Sequence, residues 1–295
     1  MSNQELPAYN ALINTFDPKN YITTKALQDA VFVALSLSQP LLVTGEPGTG
    51  KTQLAHWIAY HYGLQKPLEF HAKTTSTASD MFYRYDALRR FQDSQLPNVE
   101  IDIQKYVSFE ALGKAILLTR TKNKVRSIIL IDEIDKAPRD LPNDVLMEIE
   151  RMTFTVKETG KTYAADLNYR PIVVITSNSE KNLPDAFLRR CVYFHINFPD
   201  EAQLIKIIQC RFRDTDNNPL VSDDFIQAAV DHFLKIRKLN LKKKPATAEC
   251  IAWMSIMKTL GIDPEKPDER MKSSYSVLAK NKEDLNLLIQ RLNTK

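Results

Sequence analysis

Only 7 glycines occur in these 295 residues, and three of them, Gly45, Gly48 and Gly50, fall within six consecutive positions. Glycine is needed where a backbone takes up positive φ or must approach a ligand closely. A chain that avoids glycine elsewhere therefore marks this stretch as one of special geometry. The whole segment reads Gly45-Glu46-Pro47-Gly48-Thr49-Gly50-Lys51-Thr52, the GxxxxGK[ST] pattern in full. A short apolar run, PLLVT (40–44), precedes it, and a helical pattern, KTQLAHWIAYHY (51–62), follows and closes at Gly63. In that setting the loop N–H groups turn inward to a β-phosphate, and the helix start adds the positive end of its dipole. Lys51 reaches β- and γ-oxygens and the Thr52 hydroxyl can ligate Mg²⁺, so a nucleoside triphosphate and Mg²⁺ are the expected ligand and cofactor.

Such a loop needs a strand behind it and a helix in front, and the chain supplies that alternation. Residues 23–37 read as a helix capped by Thr23 or Thr24, and 67–72, 126–132, 171–178 and 191–198 read as strands. The run RSIILID (126–132) is continuously apolar up to its end, as a strand buried on both faces of a parallel sheet must be. Segments 109–120, 137–152 and 183–190 read as helices, with a hairpin around Glu158–Lys161. After Pro199 the pattern is helical throughout. These signals predict an α/β fold: a P-loop three-layer αβα domain with a parallel sheet over 1–198, then a small all-helical unit over 199–295.

A phosphate loop alone suits a kinase, a GTPase or an ATPase. The strand SIILI ends in Asp132-Glu133-Ile134-Asp135. At such a strand end Asp132 can hold Mg²⁺ through water, and Glu133 can polarise an attacking water as general base. Asp135 reads as a helix cap or a partner of Lys136 or Arg139. The next strand, IVVIT, ends in Ser177-Asn178, whose amide can hold the water between itself and Glu133. Asn281-Lys282-Glu283-Asp284 matches the guanine signature NKxD, but DxxG is absent and NKED opens a charged helix. A helicase would need a second domain with its own glycine motifs, and beyond Pro199 the sole glycine is Gly261.

GEPGTGKT, IILIDEID, ITSN and LPDAFLRRC, in this order, resemble the AAA+ ATPases, and within them the MoxR and dynein-related branch, over about residues 20–260. The resemblance implies that Asn178 is sensor 1 and that an arginine before the last core strand acts in trans on the neighbouring subunit's ATP. Arg190 is preferred over Arg189 because it directly precedes the strand at Cys191. It further implies a homo-oligomeric ring, a hexamer, that remodels or activates protein clients, often ones with von Willebrand factor A domains. The alternative it leaves is an ATP-gated adaptor or motor of a nucleic-acid-linked complex, with little hydrolysis of its own. The helical tail corresponds to the family's lid, whose sensor 2 arginine is expected within Lys244–Glu249; Glu249 stands there instead, with Lys243 or Lys244 as substitutes or as a solvated basic loop. Segment 74–108 resembles this branch's helix-2 insert, so Phe82, Tyr83, Arg84 and Tyr85 are either a substrate-contacting surface or core.

The bulk numbers bound the setting. With 43% apolar and 26% charged residues the chain reads as globular, and a net charge of +4 permits nucleic-acid contact without arguing for it. No apolar run approaches the roughly 20 residues of a spanning helix, so no membrane insertion is expected. The start, MSNQELPAYN, has no leader features, and Cys191, Cys210 and Cys250 are scattered. Reduced thiols and a cytoplasmic location follow as expectations.

Overall fold

A computed structural model describes residues 16–96, 101–214, 216–266 and 268–291. The amino-terminal decapeptide, part of the 74–108 segment and the final residues of the RLNTK tail lie outside the described residues. Contacts divide the chain into two units. One comprises Thr23–Gly45 and Gly50–Ile196; the other comprises Asn197 onward, the described residues up to Ile22, and the tip of the phosphate loop, Glu46–Thr49.

The first unit begins with α1 (Lys25–Leu37), whose N-cap is Thr24: its hydroxyl accepts from the Leu27 amide at 3.2 Å. Leu27, Val31 and Ala34, spaced by one helical turn each, are the face it buries. Next come β1 (Leu41–Gly45), α2 (Lys51–His61) and β2 (Leu68–His71). A long excursion follows: β3 (Tyr83–Tyr85), α3 (Ala87–Ser94), β4 (Val107–Phe109) and α4 (Ala111–Leu118). Then come β5 (Ile128–Asp132), α5 (Leu141–Asp144), α6 (Leu146–Arg151), the hairpin strands β6 (Thr153–Val156) and β7 (Lys161–Ala164), β8 (Ile172–Ser177), α7 (Asp185–Leu188) and β9 (Val192–Ile196).

The five core strands are all parallel, in the order β2-β5-β8-β1-β9. β1 and β5 are buried at every position and β8 at all but its first, whereas the edge strands β2 and β9 are only partly covered. This is why the central strands read as unbroken apolar runs and the edges do not. Because β8 lies between β5 and β1, its carboxyl end falls between the two strand ends that carry Asp132 and the phosphate loop.

Two sequence expectations change here. The helix expected over 137–152 is two short helices that meet at Val145, whose φ of −97° and ψ of −2° interrupt the helical run. In the excursion, the two-way reading of the aromatic cluster resolves toward packing for two of its members. Phe82 and Tyr83 are buried, and Phe82 stacks on Phe154 with ring centroids 5.1 Å apart. Arg84 lies outside the core and pairs with Glu110 at 3.2 Å, and the Tyr85 ring packs partly buried against that core. The exposed large apolar side chains among the described residues of the excursion are instead Leu88 and Phe91 on α3 and Leu96 just after it. Gly113 in α4 explains a glycine inside a helix: a Cβ there would stand 2.0 Å from the Phe82 carbonyl oxygen.

The second unit holds α8 (Glu201–Arg211), α9 (Asp223–Lys238), α10 (Thr247–Leu260), α11 (Glu269–Ser274) and α12 (Lys282–Arg291). Asp200 and Gln203 form a capping box on α8, and Ser222 caps α9. Its core is separate from the sheet's and centres on Phe212, Phe233, Trp253, Met254 and Met257. The NKED motif has a structural job in it: Asp284 accepts from the amides of Lys242 and Lys243 at 2.9 and 3.1 Å and from the Asn281 side chain at 2.6 Å. Among the described residues no helix is long and apolar enough to cross a membrane.

Candidate functional site

The candidate site is built at the carboxyl ends of β1, β8 and β5, where parallel α/β sheets present loops and helix starts to a ligand. Gly45, Gly48 and Gly50 have φ values of 151°, 75° and 87°, so the glycine cluster does serve left-handed backbone. Lys51 opens α2 and is buried, with 7% exposure. Its Nζ donates to the Gly45 carbonyl at 2.8 Å and to Asn178 Oδ1 at 3.0 Å. Burial lowers its pKa, while Asp135, Asp132 and Glu133 pull it back up. The ammonium is thus held at the loop, next to three carboxylates, by bonds that a phosphate oxygen can replace.

Asp132, the last residue of β5, has partners on both carboxylate oxygens. Its Oδ1 accepts from Thr52 Oγ1 at 3.1 Å and from Thr176 Oγ1 at 2.5 Å. Its Oδ2 lies 3.4 Å from His71 Nδ1, and the same imidazole reaches Glu69, which in turn pairs with His56. A Mg²⁺ bound to the Thr52 hydroxyl would have the Asp132 carboxylate, 3.1 Å from that hydroxyl, beside its water shell, so the two residues fit a cation held directly by Thr52 and through water by Asp132. Among the described residues no group of three or more His, Cys, Asp or Glu side chains forms a metal site. A Mg²⁺ held chiefly by phosphate and water does not require one.

Glu133 follows in a left-handed conformation, φ 55° and ψ 49°, uncommon for a residue with a side chain. The Thr176 hydroxyl that donates to Asp132 also accepts the Glu133 amide at 2.9 Å. One buried hydroxyl therefore fixes both carboxylate residues. The sequence reading passed over Thr176, and its signal was present: a polar residue inside an otherwise apolar strand, two before Asn178. The Glu133 carboxylate itself is bonded to Lys136.

Asp135 does not cap the next helix. Its Oδ1 accepts the Asn178 amide at 3.2 Å, so Asn178 is held by its backbone to Asp135 and by its side chain to Lys51. The structure thus gathers Lys51, Thr52, Asp132, Glu133 and Asn178 in two bonded sets, Lys51–Asn178–Asp135 and Thr52–Asp132–Thr176–Glu133, with Asp135 and Thr176 as braces. Arg189 and Arg190 are part of neither set. Both are exposed at the end of α7; Arg190 donates to the Ala186 carbonyl and lies 3.7 Å from Glu150, whereas Arg189 has no such tether among the described residues.

The loop tip, Glu46–Thr49, is held with the helical unit. Thr49 Oγ1 donates back to the Glu46 carbonyl at 2.8 Å, and Glu46 Oε2 accepts from Arg237 Nη2 at 2.9 Å. At the start of α10, Glu249 accepts the Ala246 amide at 3.0 Å and pairs with Lys280, so it caps the helix at the place where the resemblance leads one to expect an arginine. The Lys243 amide is committed to Asp284. Cys191, Cys210 and Cys250 are free thiols, and burial pushes Cys191 up to about 12.

The model of one protein family, the AAA domain of the dynein-related subfamily, matches residues 40–191, just over half of the chain. That span runs from the residue before β1 to the residue before β9 and contains every member of the linked cluster. No curated protein matches the chain.

Proposed function

This chain belongs to the AAA domains of the dynein-related subfamily, and from that membership we propose an ATP-hydrolysing, MoxR-like ring protein that remodels or activates partner proteins. AAA ATPases use ATP and typically Mg²⁺. The observation that carries the reading is the bonded cluster Lys51–Asn178 and Thr52–Asp132–Thr176–Glu133. Lys51 exchanges Gly45 and Asn178 for β- and γ-phosphate oxygens. Thr52 and Asp132 would hold Mg²⁺, which would supply positive charge to neutralise that developing on the phosphates. Asn178, released by Lys51, orients water with Glu133, which takes its proton as oxygen attacks the γ-phosphorus and ADP departs with the bonding pair. Glu133 must first leave Lys136. Arg190, or Arg189, acts on the neighbouring subunit's nucleotide, so hydrolysis belongs to an interface in a homo-oligomer, expected to be a hexamer. By resemblance the client is a protein, with von Willebrand factor A domains the first candidates, in the cytoplasm.

The engaged Glu133–Lys136 pair and the cap at Glu249 favour a second reading, a slowly hydrolysing ATP-gated adaptor, including one in a nucleic-acid-linked complex. Phosphate release by the wild type and by Glu133→Gln, with light scattering in ATP, separates the two. The first reading expects an ATP-dependent assembly whose turnover Glu133→Gln abolishes while nucleotide stays bound. Equal, near-zero release from both proteins would leave only the adaptor.

A further inference from the structure

The helical unit provides one cation for the tip of the phosphate loop, and it comes from an unexpected helix. Arg237 lies in the last turn of α9, and its side chain is only 11% exposed. Three contacts define it: its guanidinium covers the Phe198 ring at 3.5 Å, its Nη1 donates to the Pro245 carbonyl, and its Nη2 donates to Glu46 Oε2 at 2.9 Å. The stacking and the carbonyl bond fix the fork in place, so the loop carboxylate meets a pre-positioned partner. A second contact reinforces the first. Gly48 has φ +75°, and a Cβ on it would stand 3.0 Å from Ala246 Cβ and 3.4 Å from Ala248 Cβ at the start of α10. The loop tip is therefore held at two points two residues apart, by an ion pair at Glu46 and by close packing at Gly48.

We propose that Arg237 is a positioning residue for nucleotide binding, which orders the phosphate loop through Glu46 and does not itself touch the phosphates. The inference rests on the reading of Gly45–Thr52 as a phosphate loop. Its physical basis is pre-organisation: a loop already ordered by the protein loses less conformational freedom when the ligand arrives. Because the loop amides grip the phosphate chain as a whole, the effect is shared by ADP and ATP. An arginine that contacted the γ-phosphate would distinguish them.

The experiment measures the Kd of fluorescent ADP and of a non-hydrolysable fluorescent ATP analogue for the full chain, for Glu46→Gln, for Arg237→Met and for the double variant. Each single change is expected to raise both Kd values by about tenfold and by the same factor, and the double variant to be no worse than either single one. KM for ATP rises in parallel while kcat stays within about twofold. Glu46 is half-exposed, so its variant reports even if Arg237→Met disturbs packing around Phe198. The proposal is overturned if Glu46→Gln leaves both Kd values unchanged, or if Arg237→Met weakens the ATP analogue alone. Lys51→Ala is the control: nucleotide binding that survives it would remove the phosphate-loop reading itself, whereas its loss beside a silent Glu46→Gln removes only the role of Arg237.

Discussion

The two units use buried polar groups in opposite ways. In the sheet unit, Lys51, Asp132 and Thr176 are buried at the strand ends; Lys51 bonds Asn178, and Thr176 bonds Asp132. Those bonds can be exchanged for ligand oxygens. In the helical unit, Asp284 closes on backbone amides, Trp253 Nε1 donates to Ser274 at 2.7 Å, and His232 bonds Tyr275 at 3.0 Å. Those bonds complete a core. Residue type alone does not reveal which use is intended; what decides is whether the partners lie at a strand end or within the core. Trp57 in α2 and Trp253 in α10 are the chain's two tryptophans, one in each unit, so fluorescence of Trp57→Phe and Trp253→Phe backgrounds follows each unit separately.

The largest expected effect sharpens the contrast. Glu133→Gln should lower kcat by about 10²–10⁴-fold, while the melting of both tryptophan signals stays near that of the wild type; a shifted Trp253 transition would break the comparison. Gly113→Ala should act in the reverse sense, on fold rather than chemistry. The new methyl would meet the Phe82 carbonyl at 2.0 Å, and displacing backbone is expected to cost upward of about 3 kcal/mol, read as early loss of the Trp57 signal in urea.

The helical unit should carry its own acid sensitivity. Burial, helped by Lys235, lowers His232 from 6.5 to about 4. The unfolded chain therefore takes the proton first as pH falls. Stability from neutral His232 is complete above about pH 6.5 and is lost progressively toward pH 4, by about 3 kcal/mol in all. His232→Gln should flatten that slope in the Trp253 signal, and an unchanged slope would assign it to other groups, Asp284 among them. The smallest effect tests the brace. Thr176→Val keeps the strand's shape but strands the Glu133 amide, and should reduce kcat by about tenfold with KM little moved. Thr176→Ser should restore it.

Much of this was legible in the residues. The central strands and the Gly45–Thr52 loop follow from unbroken apolar runs and clustered glycine, which are local signals. Glu133 and Asn178 stand out as candidates because each follows the end of such a run. What escaped depends on partners distant in sequence. In sequence Asp135 reads as a cap or a partner of Lys136 or Arg139, its neighbours along the chain, yet it bonds Asn178 just past the end of β8. Arg237 reads as one more charge in a basic helix end until Glu46 and Phe198 are found beside it. Phe82 and Tyr83 were ambiguous because burial of a short aromatic run is decided by Phe154, on a different hairpin.

The place of β8 also has a consequence for how the chain is made. β1 is among the first strands to be synthesised, but Leu41 lies opposite Val174 on one side and Val192 on the other. β5 and β1 share no edge until β8 fills the gap between them. β2 can pair with β5, but β1 must wait for β8 and β9, and contacts of such sequence separation close slowly. The strand that brings Asn178 to Lys51 is thus also the wedge that joins the β2-β5 pair to β1, so a nascent chain unites its sheet and its reactive centre in the same late step.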